Sequence, residues 1–155
     1  MKIEWLKIEK FRAIRSCNIA VGSEIALVGQ NSSGKSSILR ALNSFFNFEN
    51  EADCFESGQH AFLKSSTAII TLMFSEVPEE CNLPRFEDVN GKKICMRLKY
   101  KKSAVWQIYY GGTWHSIAID FQRELQKYIS YAYIPLKRDY EASSWGSEGL
   151  LRRSV

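Results

Sequence analysis

The chain opens on an alternating pattern. In "KIEWLKIEKF", residues 2–11, the apolar positions Ile3, Trp5, Leu6, Ile8 and Phe11 are separated by Lys and Glu. That is the signature of a strand with one face in solvent. "IRSCNIAV" continues as a second strand, and Gly22-Ser23 marks the turn after it. "EIALVG", residues 24–29, is a short unbroken apolar run ending in glycine, and predicts a strand buried on both faces. Next, Ile38, Leu39, Leu42, Phe45 and Phe46 fall at helical spacing, so a helix is expected to end near Asn47. The acidic, polar "ENEADCFESGQH" that follows reads as an exposed loop.

From Ser65 onward the pattern is β. "STAIITLMFS" predicts one strand and, after a turn-rich stretch containing Asn90-Gly91, "KICMRLKYKK" predicts another. "SAVWQIYYGGTWHSIAI" reads as a hairpin closed at Gly111-Gly112. "FQRELQKYI" is a short helix with Asp120 as its expected N-cap. "YAYIPL" returns to a strand that stops at Pro135, and "EGLLRRSV" has the look of a helix opening. No repeat or low-complexity segment interrupts the chain.

Composition changes this picture little. With 155 residues, 45% hydrophobic and 25% charged, the chain matches typical globular values of roughly 45–50% and 25%. A net charge of +4 admits anionic partners without demanding them. The four cysteines, Cys17, Cys54, Cys81 and Cys95, form no C-x-x-C pair, and His60 and His115 complete no zinc spacing. Free, buried or half-buried thiols in a reducing compartment are therefore expected. The N-terminus is charged throughout, and no apolar run approaches the roughly 20 residues of a membrane helix. A cytoplasmic protein with no membrane partner is the expectation.

The chemistry-bearing stretch is Gly29-Gln30-Asn31-Ser32-Ser33-Gly34-Lys35-Ser36, which satisfies G-x-x-x-x-G-K-[ST] at every fixed position. Its context also fits, between a predicted buried strand and a predicted helix. Gly29 and Gly34 let the backbone bend so that successive N–H groups of the loop, Asn31, Ser32 and Ser33 among them, point inward at a phosphate. The helix N-terminus adds its positive end. Lys35 is a mobile point charge for the β- and γ-phosphates, Ser36 is the expected Mg²⁺ ligand, and Ser37 offers a backbone N–H to the α-phosphate. Such a loop does not hydrolyse by itself; it needs an acidic residue at another strand end. Asp120 and Glu76 end apolar runs, but read better as a helix cap and a solvent-facing strand end. No convincing catalytic residue is found.

The whole stretch "KIEWLKIEKFRAIRSCNIAVGSEIALVGQNSSGKSSILRAL" resembles the N-terminus of ABC-type ATPase heads of the RecF and structural-maintenance-of-chromosomes (SMC) kind. There, an amphipathic strand leads to a Phe-Arg pair, here Phe11-Arg12, and a meander runs to a G-x-N-x-S-G-K-S-[ST] loop, complete here from Gly29 to Ser37. The resemblance implies an α/β P-loop NTPase of ABC-ATPase type, its N-terminal portion carrying a β-rich antiparallel lobe. It further implies ATP and Mg²⁺ as cofactors, Arg12 near the nucleotide, and a homodimer or higher oligomer formed through the heads. "YIPLKRDYEASSWGSEGLLRR" is similar, through Tyr133, Ile134, Pro135, Arg138, Asp139 and Trp145, to a segment of OLD-type ATPases. That group often carries a TOPRIM nuclease domain and serves in phage defence, so DNA or a nuclease is an implied partner.

The family's signature loop, Asp-Glu strand, switch histidine and TOPRIM acids do not occur in these residues. The chain is therefore expected to be the N-terminal part of a longer ATPase. Residues 1–48 would hold the first strands, loop and helix, 65–135 the β-rich lobe, and 136–155 the start of a truncated segment. Such a piece binds ATP, with hydrolysis depending on other parts. Two other classes stay open: a self-contained phosphotransferase such as a small kinase, and a non-catalytic nucleotide-binding module. Lys92, Lys93, Arg97, Lys99, Lys101 and Lys102 are expected to form a solvated strand face, with a phosphate-contacting patch as the alternative. Trp106, Tyr109, Tyr110 and Trp114 are expected to serve as core and cross-strand pairs.

Overall fold

The computed structural model describes residues 1–134, apart from 32, 65, 119, 120 and the side chains of 121–123. Its centre is an antiparallel sheet in the order β2-β1-β3-β5-β6-β7, with β4 paired beside β5. The strands are β1 (Lys2–Phe11), β2 (Ile14–Ala20), β3 (Ala68–Ser75), β4 (Phe86–Asp88), β5 (Gly91–Tyr100), β6 (Ala104–Tyr110) and β7 (Thr113–Ser116). The helices are α1 (Lys35–Phe46), α2 (Ala52–Glu56), preceded by a 3-10 turn over Phe48–Glu51, and α3 (Phe121–Gln126).

Period-two alternation decides which face is buried. Leu6 lies opposite Leu72, Leu72 opposite Met96, and Met96 opposite Ile108. One step along, Ile8, Ile70, Leu98 and Trp106 form a second row. All eight are buried, so both rows belong to one core-facing surface. The opening strand keeps its register by a shift between Ile3 and Trp5. The shift puts Ile3, opposite Phe74, in phase with Leu6, opposite Leu72, despite their odd spacing. The hairpin turn falls at Gly111-Gly112 as expected, both with positive φ (58° and 81°), the conformation that a two-residue type I′ loop requires. Tyr109 pairs with Trp114 across that hairpin, rings 5.3 Å apart, and Trp106 is core.

Helix α1 lies on the core face through its C-terminal half. Phe45 and Phe46 pack 5.2 Å apart, and each ring centroid lies 6.4 Å from Phe74 of β3. The next turn is stapled to α1 by Glu51, a buried carboxylate. It accepts from Asn43 Nδ2 at 2.9 Å and Arg40 Nη1 at 3.2 Å. These bonds supply what a carboxylate loses on leaving water.

Three sequence expectations are corrected. The acidic stretch from Glu49 to His60 is not an exposed loop. It holds the 3-10 turn and α2, with Glu51, Cys54, Phe55 and His60 buried. Its sparse aromatics act as anchors: Phe55 stacks on His60 at 4.6 Å and packs against Phe48 at 4.9 Å and Tyr100 at 4.7 Å. Residues 24–29 form no strand; Val28 is 92% and Ile25 45% exposed. β2 is the edge strand of the sheet, and after it the chain turns at Gly22-Ser23 and runs on without adding to that edge or pairing with any described strand. Residues 131–134 form no strand either; there the chain turns back to α1, Tyr131 stacking on Phe46 at 4.8 Å. The expected cap Asp120 and the segment from Pro135 onward lie outside the described residues.

The thiol expectation holds, with Cys54, Cys81 and Cys95 buried, Cys17 half-buried and all four unpaired by disulfides. Among the described residues no helix is long and apolar enough to cross a membrane.

Two outcomes follow for stability. Phe74→Ala removes the shared floor of both α1 aromatics, and should cost about 3–5 kcal/mol, measured by urea unfolding. His60 is held neutral: burial lowers its pKa from 6.5, partly offset by hydrogen bonds involving the backbone of Cys54 and Phe55. The unfolded chain therefore binds a proton at higher pH than the folded one, and His60's contribution, complete above 6.5, is lost as pH falls through the folded value. Urea midpoints of the native protein should drop on moving from neutral pH to below 6 more steeply than those of His60→Phe; parallel profiles would refute this assignment.

Candidate phosphate-binding site

The loop from Gly29 to Gly34 enters α1 directly. Gly34 is the residue before the helix, buried and left-handed at φ 96°, and no side chain caps the first turn. That turn carries no acidic residue. An uncapped helix start leaves its first N–H groups without helical partners and its positive dipole end uncovered. The arrangement repels cations and attracts an anion.

Lys35 shows the same preference from the other side. Its Nζ folds back over the loop and donates to the carbonyls of Gly29 and Gln30, each at 2.6 Å. It meets no carboxylate among the described residues. An ammonium held by two neutral carbonyls keeps its charge for an incoming phosphate. Inside the loop, Ser33 N donates to Gln30 O at 3.3 Å, and a Cβ at Gly29 would meet Ser33 Oγ at 2.9 Å. Asn31, Ser33 and Ser36 are exposed, whereas Ser37 is buried against the body of the domain. Ser32 lies outside the described residues.

The loop rests on the β1–β2 turn. A Cβ at Gly34 would lie 3.5 Å from Ile14 Cγ1, so Ile14 forms the floor beneath the helix start. Arg12 sits two residues earlier, in that turn. Its guanidinium is directed at α2, where Nη1 donates to Cys54 Sγ at 3.1 Å. Its backbone is left-handed at φ 51°, as is Lys10 at φ 54°. Non-glycine residues pay roughly 1–2 kcal/mol for that conformation. Two bonds hold the turn against it: Arg12 N to His60 O at 2.6 Å, and Phe62 N to Lys10 O at 3.3 Å. The role of His60 and Cys54 in fixing this turn was not legible in the sequence, because their segment carries no periodic pattern.

The residues fit a nucleoside triphosphate: a bent loop, a free helix start, a lysine with no anionic partner, and an exposed hydroxyl at Ser36 for a metal. The Ser36 hydroxyl would hold Mg²⁺ there, which would supply positive charge against the phosphates. Among the described residues no group of three or more His, Cys, Asp or Glu could hold a metal unaided. Glu76, at the end of β3, is exposed and pairs with Lys2 at 2.6 Å, which makes it the solvent-facing strand end expected of it.

Residues 1–144 match the family model of the AAA ATPase domain. The chain belongs to that family. Thirty-three solved chains also match. One comes from work on ATP-driven dimerization and DNA-stimulated activation of SMC ATPases. It shares 18% identity with this AAA ATPase domain over 81% of this chain and 77% of its own, with a TM-score of 0.57. At that identity the likeness is one of fold: a P-loop α/β ATPase with an antiparallel sheet. No curated protein matches the chain.

Gly34→Ala tests the loop geometry. The new Cβ meets Ile14 only at ordinary contact distance, so the strain is in the backbone. A loss of about 1–2 kcal/mol is expected, read by urea unfolding. A stability unchanged within error would show that the loop does not need its left-handed residue.

Proposed function

We propose that this chain is the ATP-binding portion of a RecF/OLD-type ATPase, taking Mg²⁺-ATP at Gly29, Asn31, Ser32, Ser33, Gly34, Lys35, Ser36 and Ser37. The observation that carries the reading is Lys35, folded across its own loop onto two carbonyls and free of any described carboxylate. Triphosphate would displace those carbonyls as partners of the ammonium, and the Ser36 hydroxyl would reach the metal. Arg12 belongs to this proposal as a second cation whose guanidinium would leave Cys54 to reach the nucleotide, its turn supporting Gly34 through Ile14.

The second part of the proposal concerns what binding does. ATP would join two heads, and closure of that joint would be coupled to engagement of DNA or to an effector nuclease, in anti-phage defence or DNA repair. The exposed run Glu24–Gly29 supports an assembly larger than these residues. Val28 in particular is solvated, where an apolar strand leading into a phosphate loop is ordinarily covered by neighbouring strands. This chain by itself is then a binder rather than an efficient hydrolase, and the cytoplasm is its place. A small-molecule phosphotransferase is the less supported reading, because the described strands form an antiparallel lobe and the family model matched is that of an ATPase domain.

Lys35→Ala should abolish ATP binding, measured by titration calorimetry, while far-UV circular dichroism and the urea midpoint stay unchanged. Retained ATP affinity in that variant would sink the assignment. Phosphoryl transfer to a small acceptor by the native chain would favour the kinase class instead.

A further inference from the structure

The α2 segment grips Arg12 at both ends. The backbone N–H of Arg12 donates to His60 O at 2.6 Å, and its Nη1 donates to Cys54 Sγ at 3.1 Å. Cys54 and His60 are bound to each other in turn: His60 N donates to Cys54 O at 3.1 Å, and His60 Nδ1 lies 3.4 Å from the same oxygen. Both are buried, and Phe55 beside them packs against Tyr100 of β5. The thiol is therefore a fixed point on an anchored helix. Arg12 itself is half-buried and forms no ion pair with a carboxylate among the described residues, although the exposed Asp53 and Glu56 stand on the same helix as Cys54.

We propose that Cys54 is a positioning residue: its thiol latches the Arg12 guanidinium onto α2, in competition with triphosphate at the loop. This deepens the ATP-binding reading above and rests on it. A neutral thiol sulfur is a weak acceptor. A phosphate oxygen takes a charge-assisted bond from the same guanidinium, often a bidentate one. The first partner is thus easily exchanged for the second, whereas a carboxylate at position 54 would hold the arginine much harder. The exchange also leaves the turn in place. His60 O holds the Arg12 N–H, and with it the left-handed backbone at φ 51°, without help from the thiol. Only the side chain has to change rotamer.

The latch acts in both directions. Only molecules with the guanidinium released meet triphosphate with both Lys35 and Arg12, so the apparent ATP affinity is lowered by the latched fraction. Conversely, nucleotide that draws Arg12 away uncovers a thiol of which 9% is exposed with Arg12 in place. Occupancy of the loop is thereby reported at α2, a helix that does not touch the phosphates.

The test is a double-mutant cycle on Mg²⁺-ATP affinity, measured by titration calorimetry with the full chain. Cys54→Ala removes the acceptor and should bind ATP roughly three- to tenfold more tightly than the native protein, the worth of one hydrogen bond. Cys54→Ser keeps an acceptor of similar size and should gain nothing. In an Arg12→Ala background the gain from Cys54→Ala should vanish, which a mere loosening of packing at position 54 would not produce. A second measurement needs no variant at position 54. Alkylation of Cys54 by iodoacetamide, followed by peptide mass spectrometry with Cys17 as reference, should speed up on adding Mg²⁺-ATP, and should ignore ATP in Arg12→Ala. Equal ATP affinity in native protein and Cys54→Ala, a gain that survives the loss of Arg12, or native alkylation that ignores ATP would each overturn the latch. Lys35→Ala separates the two readings. ATP affinity retained there removes the nucleotide site and the latch with it; affinity lost there, with no gain in Cys54→Ala, removes the latch alone.

Discussion

The seating of Phe45 and Phe46 on Phe74 is the contact on which the rest of the structure depends. Those rings lie about three turns from the phosphate loop, yet they fix where the loop is, because the loop is simply the start of the helix they anchor. A helix of 12 residues is marginal in isolation. What makes α1 rigid enough to present its N-terminus is the burial of its far end on β3, plus the Glu51 staple from the following turn. The loop can then stay open and uncapped, since its geometry is paid for elsewhere in the domain.

That division explains what could be read in advance. The strands β1, β2, β3, β5, β6 and β7 were legible because their alternation answers to a single buried face. The loop and α1 were legible because glycine, lysine and serine at fixed spacing have few other uses. The segment from Glu49 to His60 was not, since its acids hid an ordering that comes from three aromatic anchors and a carboxylate satisfied only in three dimensions. A local pattern cannot show that Glu51 will meet Asn43 and Arg40. Likewise, the lysines of β5 look alike along the chain. Whether each is neutralised depends on Glu4, Glu79 and Asp88, which the fold brings to one end alone.

The β1–β2 turn joins these themes. Its two left-handed residues, Lys10 and Arg12, bracket a buried phenylalanine and are held by backbone bonds from the α2 region. Strain that is over-determined by its surroundings persists most often where a structure has something to position. Here the turn carries the floor of Gly34 on one side and the guanidinium of Arg12 on the other. The sequence offered Phe11-Arg12 as a motif; in the fold the pair straddles the end of β1, Phe11 closing the strand and Arg12 opening the turn.

The misread run at residues 24–29 is the most instructive departure. Its composition suits a strand buried on both faces, but its observed state is a largely exposed, irregular segment. Composition reports the environment a segment is suited to, whereas conformation reports the neighbours it has. The outer edge of β2 is open, yet this run does not add to it and pairs with no described strand. An apolar segment that leads straight into a phosphate loop, yet leaves Ile25 and Val28 exposed, is physically unsatisfied. The loop is held by α1 behind it and the β1–β2 turn beneath it, while the apolar run that leads into it meets no strand partner among the described residues.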